Sequence, residues 1–213
     1  MRTSFVTASL LVAAATQVMA QYTNQSAPFV LVLESHDYAL DGLTLSPCHE
    51  GAAIEGLCLG PSIESKNTTF STYNFNTSSF DTGFNTTIGQ TGILTWLLRG
   101  GNFNLSSPFS LSIRATSNVA MPLFTPSSTS EWTVAFDDHE FLNMQSYLDD
   151  TTSPITFRTE AYYRWAICDT YWGYAYTTLA WIVGEGAPQN PSCKSVRVYR
   201  KFSPYESEGY RTV

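Results

Sequence analysis

Hydrophobic and polar positions alternate in three consecutive runs over residues 161–202, which hold three of the chain's five Trp and two of its four Cys. In the first run Tyr163, Trp165 and Ile167 point one way and Arg164 and Ala166 the other, the two-residue period of a strand. Residues 174–183 carry apolar or aromatic groups at both parities, which predicts a strand covered on both faces. Over residues 195–202, Val196 and Val198 share a face opposite Arg197 and Tyr199. The pattern continues upstream. Phe29–Glu34 is a continuous β-branched and aromatic run that reads as a buried strand, and Leu43 and Leu45 alternate with Thr44 and Ser46. In CHEGAAIEGLCLG (48–60), Gly51, Gly56 and Gly60 punctuate short apolar pieces. Phe70, Tyr73 and Phe75 predict a strand, as do residues 93–98, which end at the turn dipeptide Gly100-Gly101. Further strands are expected at 109–113, 118–124 and 132–136, the middle one at a sheet edge because it contains Pro122. Residues 141–148 fit either one more strand or a helical turn. No segment carries a 3.6-residue period of helix length. The expected fold is all-β and antiparallel, with a jelly-roll-like β-sandwich first and a β-trefoil or partly open barrel as the alternative. No composition break divides residues 21–213, so one domain is expected.

The amino terminus departs from this pattern. MRTSFVTASLLVAAATQVMA has one early Arg2, an uncharged apolar run over 10–15, and Val18 and Ala20 placed before a cleavage point. This predicts a secretory signal peptide over 1–20, too short to span a bilayer, and a mature chain starting at Gln21. No later stretch reaches membrane-spanning length, and the polar tail YESEGYRTV lacks the hydrophobic end of a lipid-anchor signal. Without Arg2 the chain carries ten basic and eighteen acidic residues. Such a surface repels phosphates, which argues against nucleic acid and anionic lipid as partners. Only 14% of residues are charged while Thr, Ser and Asn are abundant, a polar surface built of hydroxyls and amides.

Export changes how the four Cys are read. An even number behind a signal peptide implies disulfides, and Cys48 with Cys58 and Cys168 with Cys193 is the favoured pairing, because each pair flanks a Gly-containing segment that must turn back. A zinc site is the competing reading, weakened by the absence of paired C-x-x-C knuckles. Five N-x-[ST] sequons, at Asn24, Asn67, Asn76, Asn85 and Asn104, are expected to carry glycans where they are exposed.

The segments LSPCHEGAAIEGLCLG (45–60), SNVAMPLF (117–124), FDDHEFLNMQSYLDD (136–150), RWAICDTYWGYAYTTLAWIVG (164–184) and PQNPSCKSVRVYRKF (188–202), in that order, resemble a family of secreted proteins of filamentous ascomycete fungi whose members carry no established activity. A looser similarity of layout connects the chain to fungal cell-wall proteins of the phialide type. The resemblance implies a fungal, extracellular or wall-associated protein and transfers no catalytic residue.

Candidate chemistry is sparse. There is no G-x-S-x-G elbow, H-E-x-x-H helix, P-loop or dinucleotide fingerprint, so neither an enzyme nor a cofactor is expected. Asp137, Asp138, Asp149 and Asp150, with His139 and Glu140 nearby, form a weak cation candidate if a hairpin brings the two acidic pairs together; a solvated acidic turn is the plainer reading. Glu50 and Glu55 beside His49 are a carboxylate pair of the kind used in glycoside hydrolysis, or else structural groups, Glu50 capping a turn and His49 packing beside a disulfide. Tyr171, Trp172, Tyr174 and Tyr176 crowd one hairpin with Asp169 at the same turn. They form a candidate glycan-binding surface if exposed, and cross-strand packing pairs if buried. The expected partners are cell-wall glycan or an extracellular protein, met by a non-catalytic surface; a lectin-like module is the alternative and a polysaccharide-active enzyme the third reading.

Overall fold

A computed structural model describes residues 22–65, 69–128 and 130–202. The expected signal peptide, the Asn67 sequon and the polar tail lie outside these residues. The alternating segments become strands: β1 (Asn24–Gln25), β2 (Phe29–Glu34), β3 (Leu43–Gly51), β4 (Ile54–Ser62), β5 (Tyr73–Thr77), β6 (Thr91–Arg99), β7 (Asn104–Ile113), β8 (Val119–Phe124), β9 (Val134–Phe136), β10 (Leu142–Asp149), β11 (Thr156–Tyr162), β12 (Trp165–Tyr171), β13 (Ala175–Ile182), β14 (Lys194–Ser195) and β15 (Arg197–Phe202). Among the described residues the one helical segment is a 3-10 turn, Thr69–Ser71, which takes Phe70 out of the expected strand.

The all-β antiparallel expectation holds, and of the architectures considered the ladder forms the barrel. Pairing runs β2–β3–β4–β13–β8–β7–β6–β5 and returns to β2 where Phe29 lies opposite Tyr73. Eight strands thus close on themselves, with further strands attached outside the ring. Closure removes the free edges that two facing sheets would leave. β4 and β8 pair directly at Glu55–Phe124 and Gly56–Leu123, then diverge, each taking β13 as its next neighbour through Cys58–Thr178 and Ala120–Trp181. Pro122 sits at that fork. The edge position expected for it is therefore corrected: β8 is interior, and the missing N–H falls between the residues that pair with β13 and those that pair with β4.

Buried side chains of the barrel strands and of β12 form one core. Phe29, Leu31, Leu33, Leu45, Leu57, Tyr73, Leu94, Trp96, Phe109, Phe124, Trp165 and Leu179 are buried in one cluster. The polar tips of its large rings are satisfied: Tyr73 O–H donates to Leu45 O at 3.1 Å, Trp165 Nε1–H to Leu142 O at 2.8 Å and Trp96 Nε1–H to Phe70 O at 2.7 Å. Burial pushes the Tyr73 phenol well above its ordinary range. The Trp165 and Trp181 rings meet edge to face at 4.7 Å.

Both expected disulfides are present: Cys48–Cys58 staples the β3–β4 hairpin, and Cys168–Cys193 ties β12 to the loop before β14. Such bonds persist in oxidising compartments. Among the described residues no helix is long and apolar enough to cross a membrane.

Candidate glycan-binding hairpin

β12 and β13 pair in unbroken register from Trp165–Trp181 to Tyr171–Ala175. The inner half of this hairpin packs on the core, β13 as barrel wall and β12 paired outside it, with Trp165, Ile167, Leu179 and Trp181 buried there. The outer half projects beyond it: β12 loses burial after Cys168 and β13 gains it only from Thr178. The expectation that residues 174–183 are covered on both faces is therefore corrected for residues 174–177 and for Val183, all of them exposed. Tyr171, Tyr174 and Tyr176 are 61%, 49% and 36% exposed, so these rings are surface groups rather than core packing.

A buried carboxylate holds the tip in place. Glu50, at the end of β3 and only 2% exposed, accepts hydrogen bonds at Oε2 from the N–H groups of Gly173 and Tyr174, both at 3.1 Å. The approach is so close that a Cβ on Gly173 would lie 1.9 Å from Glu50 O, which is why glycine stands at the turn. Glu50 thus takes the turn-capping role.

Strand alternation divides four of the five expected residues between two faces. Tyr174 and Tyr176 share one face, their ring centroids 6.2 Å apart, and the His49 ring lies 5.6 Å from Tyr174. Tyr171 and Asp169 occupy the other, because directly paired residues point the same way: Tyr171 lies opposite Ala175 and Asp169 opposite Thr177. Asp169 Oδ1 is occupied by the Thr177 hydroxyl at 2.7 Å. Trp172, half-buried, is covered by the Arg114 guanidinium at 5.5 Å. Tyr174, Tyr176 and His49 thus form one ring cluster on a single face of the hairpin. The place of His49 against Tyr174 comes from the fold of β3 on the hairpin, which local spacing does not encode.

Below this platform Glu55 lies with one oxygen 3.8 Å from His49 Nδ1. Burial raises the Glu55 carboxyl above its ordinary 4.5; the His49 imidazole opposes the shift and Glu50 adds to it. A raised carboxyl contributes stability that is complete below pH 4.5 and lost as pH climbs through the raised value. Glu55→Gln is therefore expected to match the native chain in urea unfolding at pH 4 and to exceed it at pH 7. A gap independent of pH would contradict this account.

The acidic cluster does not converge. Asp137 Oδ1 accepts from the N–H groups of His139 and Phe141 at 2.9 and 2.8 Å, and Oδ2 from Tyr163 O–H at 2.8 Å, which closes the β9–β10 turn. Burial, then that bond and the Asp137 charge, push the Tyr163 phenol up to about 12. Asp138 is exposed, 3.7 Å from His139. Asp149 and Asp150 lie at the other end of β10, roughly 25 Å away at the rise of an extended strand. Asp149 is occupied by the Thr151 hydroxyl and N–H, which lower its carboxyl. Among the described residues no cluster of metal-ligating type is present, and the hairpin expected to join the two acidic pairs instead joins β10 to β11. Of the sequons, Asn24, Asn85 and Asn104 are exposed, while Asn76 is half-buried with its Oδ1 shut from solvent.

A family model described as a domain of unknown function, DUF7907, matches residues 26–202. The chain belongs to this family. The matched span contains the whole barrel, both disulfides and the β12–β13 hairpin with its Glu50 clamp. No curated protein and no solved structure matches the chain.

Proposed function

We propose that this DUF7907 protein is an exported, N-glycosylated, non-catalytic fungal surface or cell-wall protein that engages extracellular glycan through Tyr174, Tyr176 and His49. The observation that carries the reading is a pair of tyrosine rings, 49% and 36% exposed, on one face of a hairpin whose tip is clamped by a buried carboxylate. Sugar rings stack on such aromatic faces, and a surface fixed before binding loses little entropy on contact. Export is supported by the leader-like residues 1–20, by the two disulfides and by the resemblance to secreted fungal proteins. The commitment of Glu50 to two backbone N–H groups, out of reach of solvent, favours a binding role over glycoside hydrolysis.

A glycan array probed with enzymatically deglycosylated protein tests this. The expected result is saccharide-selective binding that falls ~10-fold in Tyr174→Ala and stays within about twofold of native in Tyr171→Ala, whose ring lies on the opposite face. Equal losses in the two variants would overturn the Tyr174 face as the site, and no saccharide bound would remove the glycan reading and leave a protein partner in its place.

A further inference from the structure

A concave surface lies away from the hairpin. An open cavity of about 600 Å³ lies where β1, β5 and β15 meet the 84–90 loop. Its polar wall includes Asn24, Gln25 and Gln90, and its apolar wall Phe84 and Phe202, 39% and 45% exposed. The Arg200 guanidinium, ion-paired to Glu140, lies 4.4 Å above the Phe136 ring at the inner side. Exposed aromatic faces beside amides and a fixed guanidinium are the chemistry that recognises sugars, and the volume is that of a small-ligand site.

Asn24 distinguishes this cavity from an ordinary ligand site, because it is both a lining residue and the acceptor of the sequon Asn24-Gln25-Ser26. Two more sequons flank the same walls. Asn76 lies between the lining residues Phe75 and Thr77, and Asn85 between Phe84 and Thr86. We infer that the cavity is the seat of the chain's own Asn24-linked glycan, whose inner N-acetylglucosamine residues pack against Phe84 and Phe202 and hydrogen-bond to Gln25 and Gln90. This rests on the reading of the protein as exported and Asn24 as modified. In that modification the Asn24 amide nitrogen loses a proton and bonds to the anomeric carbon of a lipid-linked oligosaccharide, whose diphosphate leaves. A tethered sugar meets the cavity at an effective concentration in the millimolar range, so weak stacking holds it and outcompetes free saccharide.

Protein from a glycosylating host would be mapped by glycopeptide mass spectrometry and then treated, folded, with an endoglycosidase. The expected result is an occupied Asn24 whose glycan is released ~10-fold more slowly than that of exposed Asn104. Phe84→Ala and Gln25→Ala should bring the two rates together without changing occupancy. Because Phe84 lies in a loop, its removal leaves the barrel ladder intact. An occupied Asn24 released at the Asn104 rate, or variants that change nothing, would overturn the docking. Asn24 bare beside a modified Asn104 would overturn it while leaving export standing. All sequons bare would remove the reading on which it rests.

Discussion

Gly89→Ala is expected to destabilise the fold by about 3 kcal/mol, a fall of roughly 10 °C in melting temperature for a chain of this size. Gly89 has φ +85, and a Cβ there would lie 1.9 Å from the carbonyl oxygen of Phe136, a backbone atom of β9 that cannot rotate away. The turn it occupies is held on three sides. Gly89 N–H donates to Asn85 O at 2.9 Å, Gln145 Nε2 donates to the carbonyls of Ile88 and Gly89, both at 2.9 Å, and fully buried Asn143 donates to Ile88 O at 3.1 Å. Relaxation would have to part β9 from this turn, and β9 connects β6 of the barrel to β10. Differential scanning calorimetry reads the effect; a melting temperature within a few degrees of native would show that the 85–90 turn is not wedged against β9.

The second large effect is expected at Glu50. Glu50→Ala removes two charge-assisted hydrogen bonds and should cost about 2 kcal/mol, moderated because the Gly173 and Tyr174 amides can be rehydrated at an exposed tip. Its consequence for binding should exceed its consequence for stability, because the tip that carries Tyr174 loses its anchor and the rings must be ordered anew on each encounter. Glu50→Gln retains an acceptor in the same place and should cost about half as much or less. The ordering Glu50→Ala below Glu50→Gln below native, read both in urea midpoints and in array signal, is the expected outcome. A Glu50→Ala variant of native stability and native glycan binding would show that the clamp holds nothing.

Several features were readable from residue order because they depend on local chemistry. Two-residue alternation marks β12 and β15, short apolar runs mark β2, β6 and β8, which are buried on both faces, and each Cys pair flanks a segment that turns back on itself. β11 escaped for the complementary reason. Its Thr156, Phe157, Arg158, Thr159 and Glu160 are exposed or nearly so, and with no buried face no period is impressed on the sequence. Pro122 misled because a missing N–H normally signals an edge, whereas here a forked ladder supplies an interior position that does not need it.

Residue order by itself determined that this chain is an antiparallel β protein and marked a tyrosine-rich hairpin, and it favoured, among three possible connectivities, the 48–58 and 168–193 pairing that the structure holds. Only the tertiary structure decided that the ladder closes into a barrel, that Tyr171 and Asp169 face away from Tyr174 and Tyr176, and that Glu50 grips a turn 123 residues further on. The physical reason is range. Side-chain alternation acts between near neighbours in the chain, while barrel closure and a buried carboxylate meeting distant amides depend on where strands far apart in sequence come to lie.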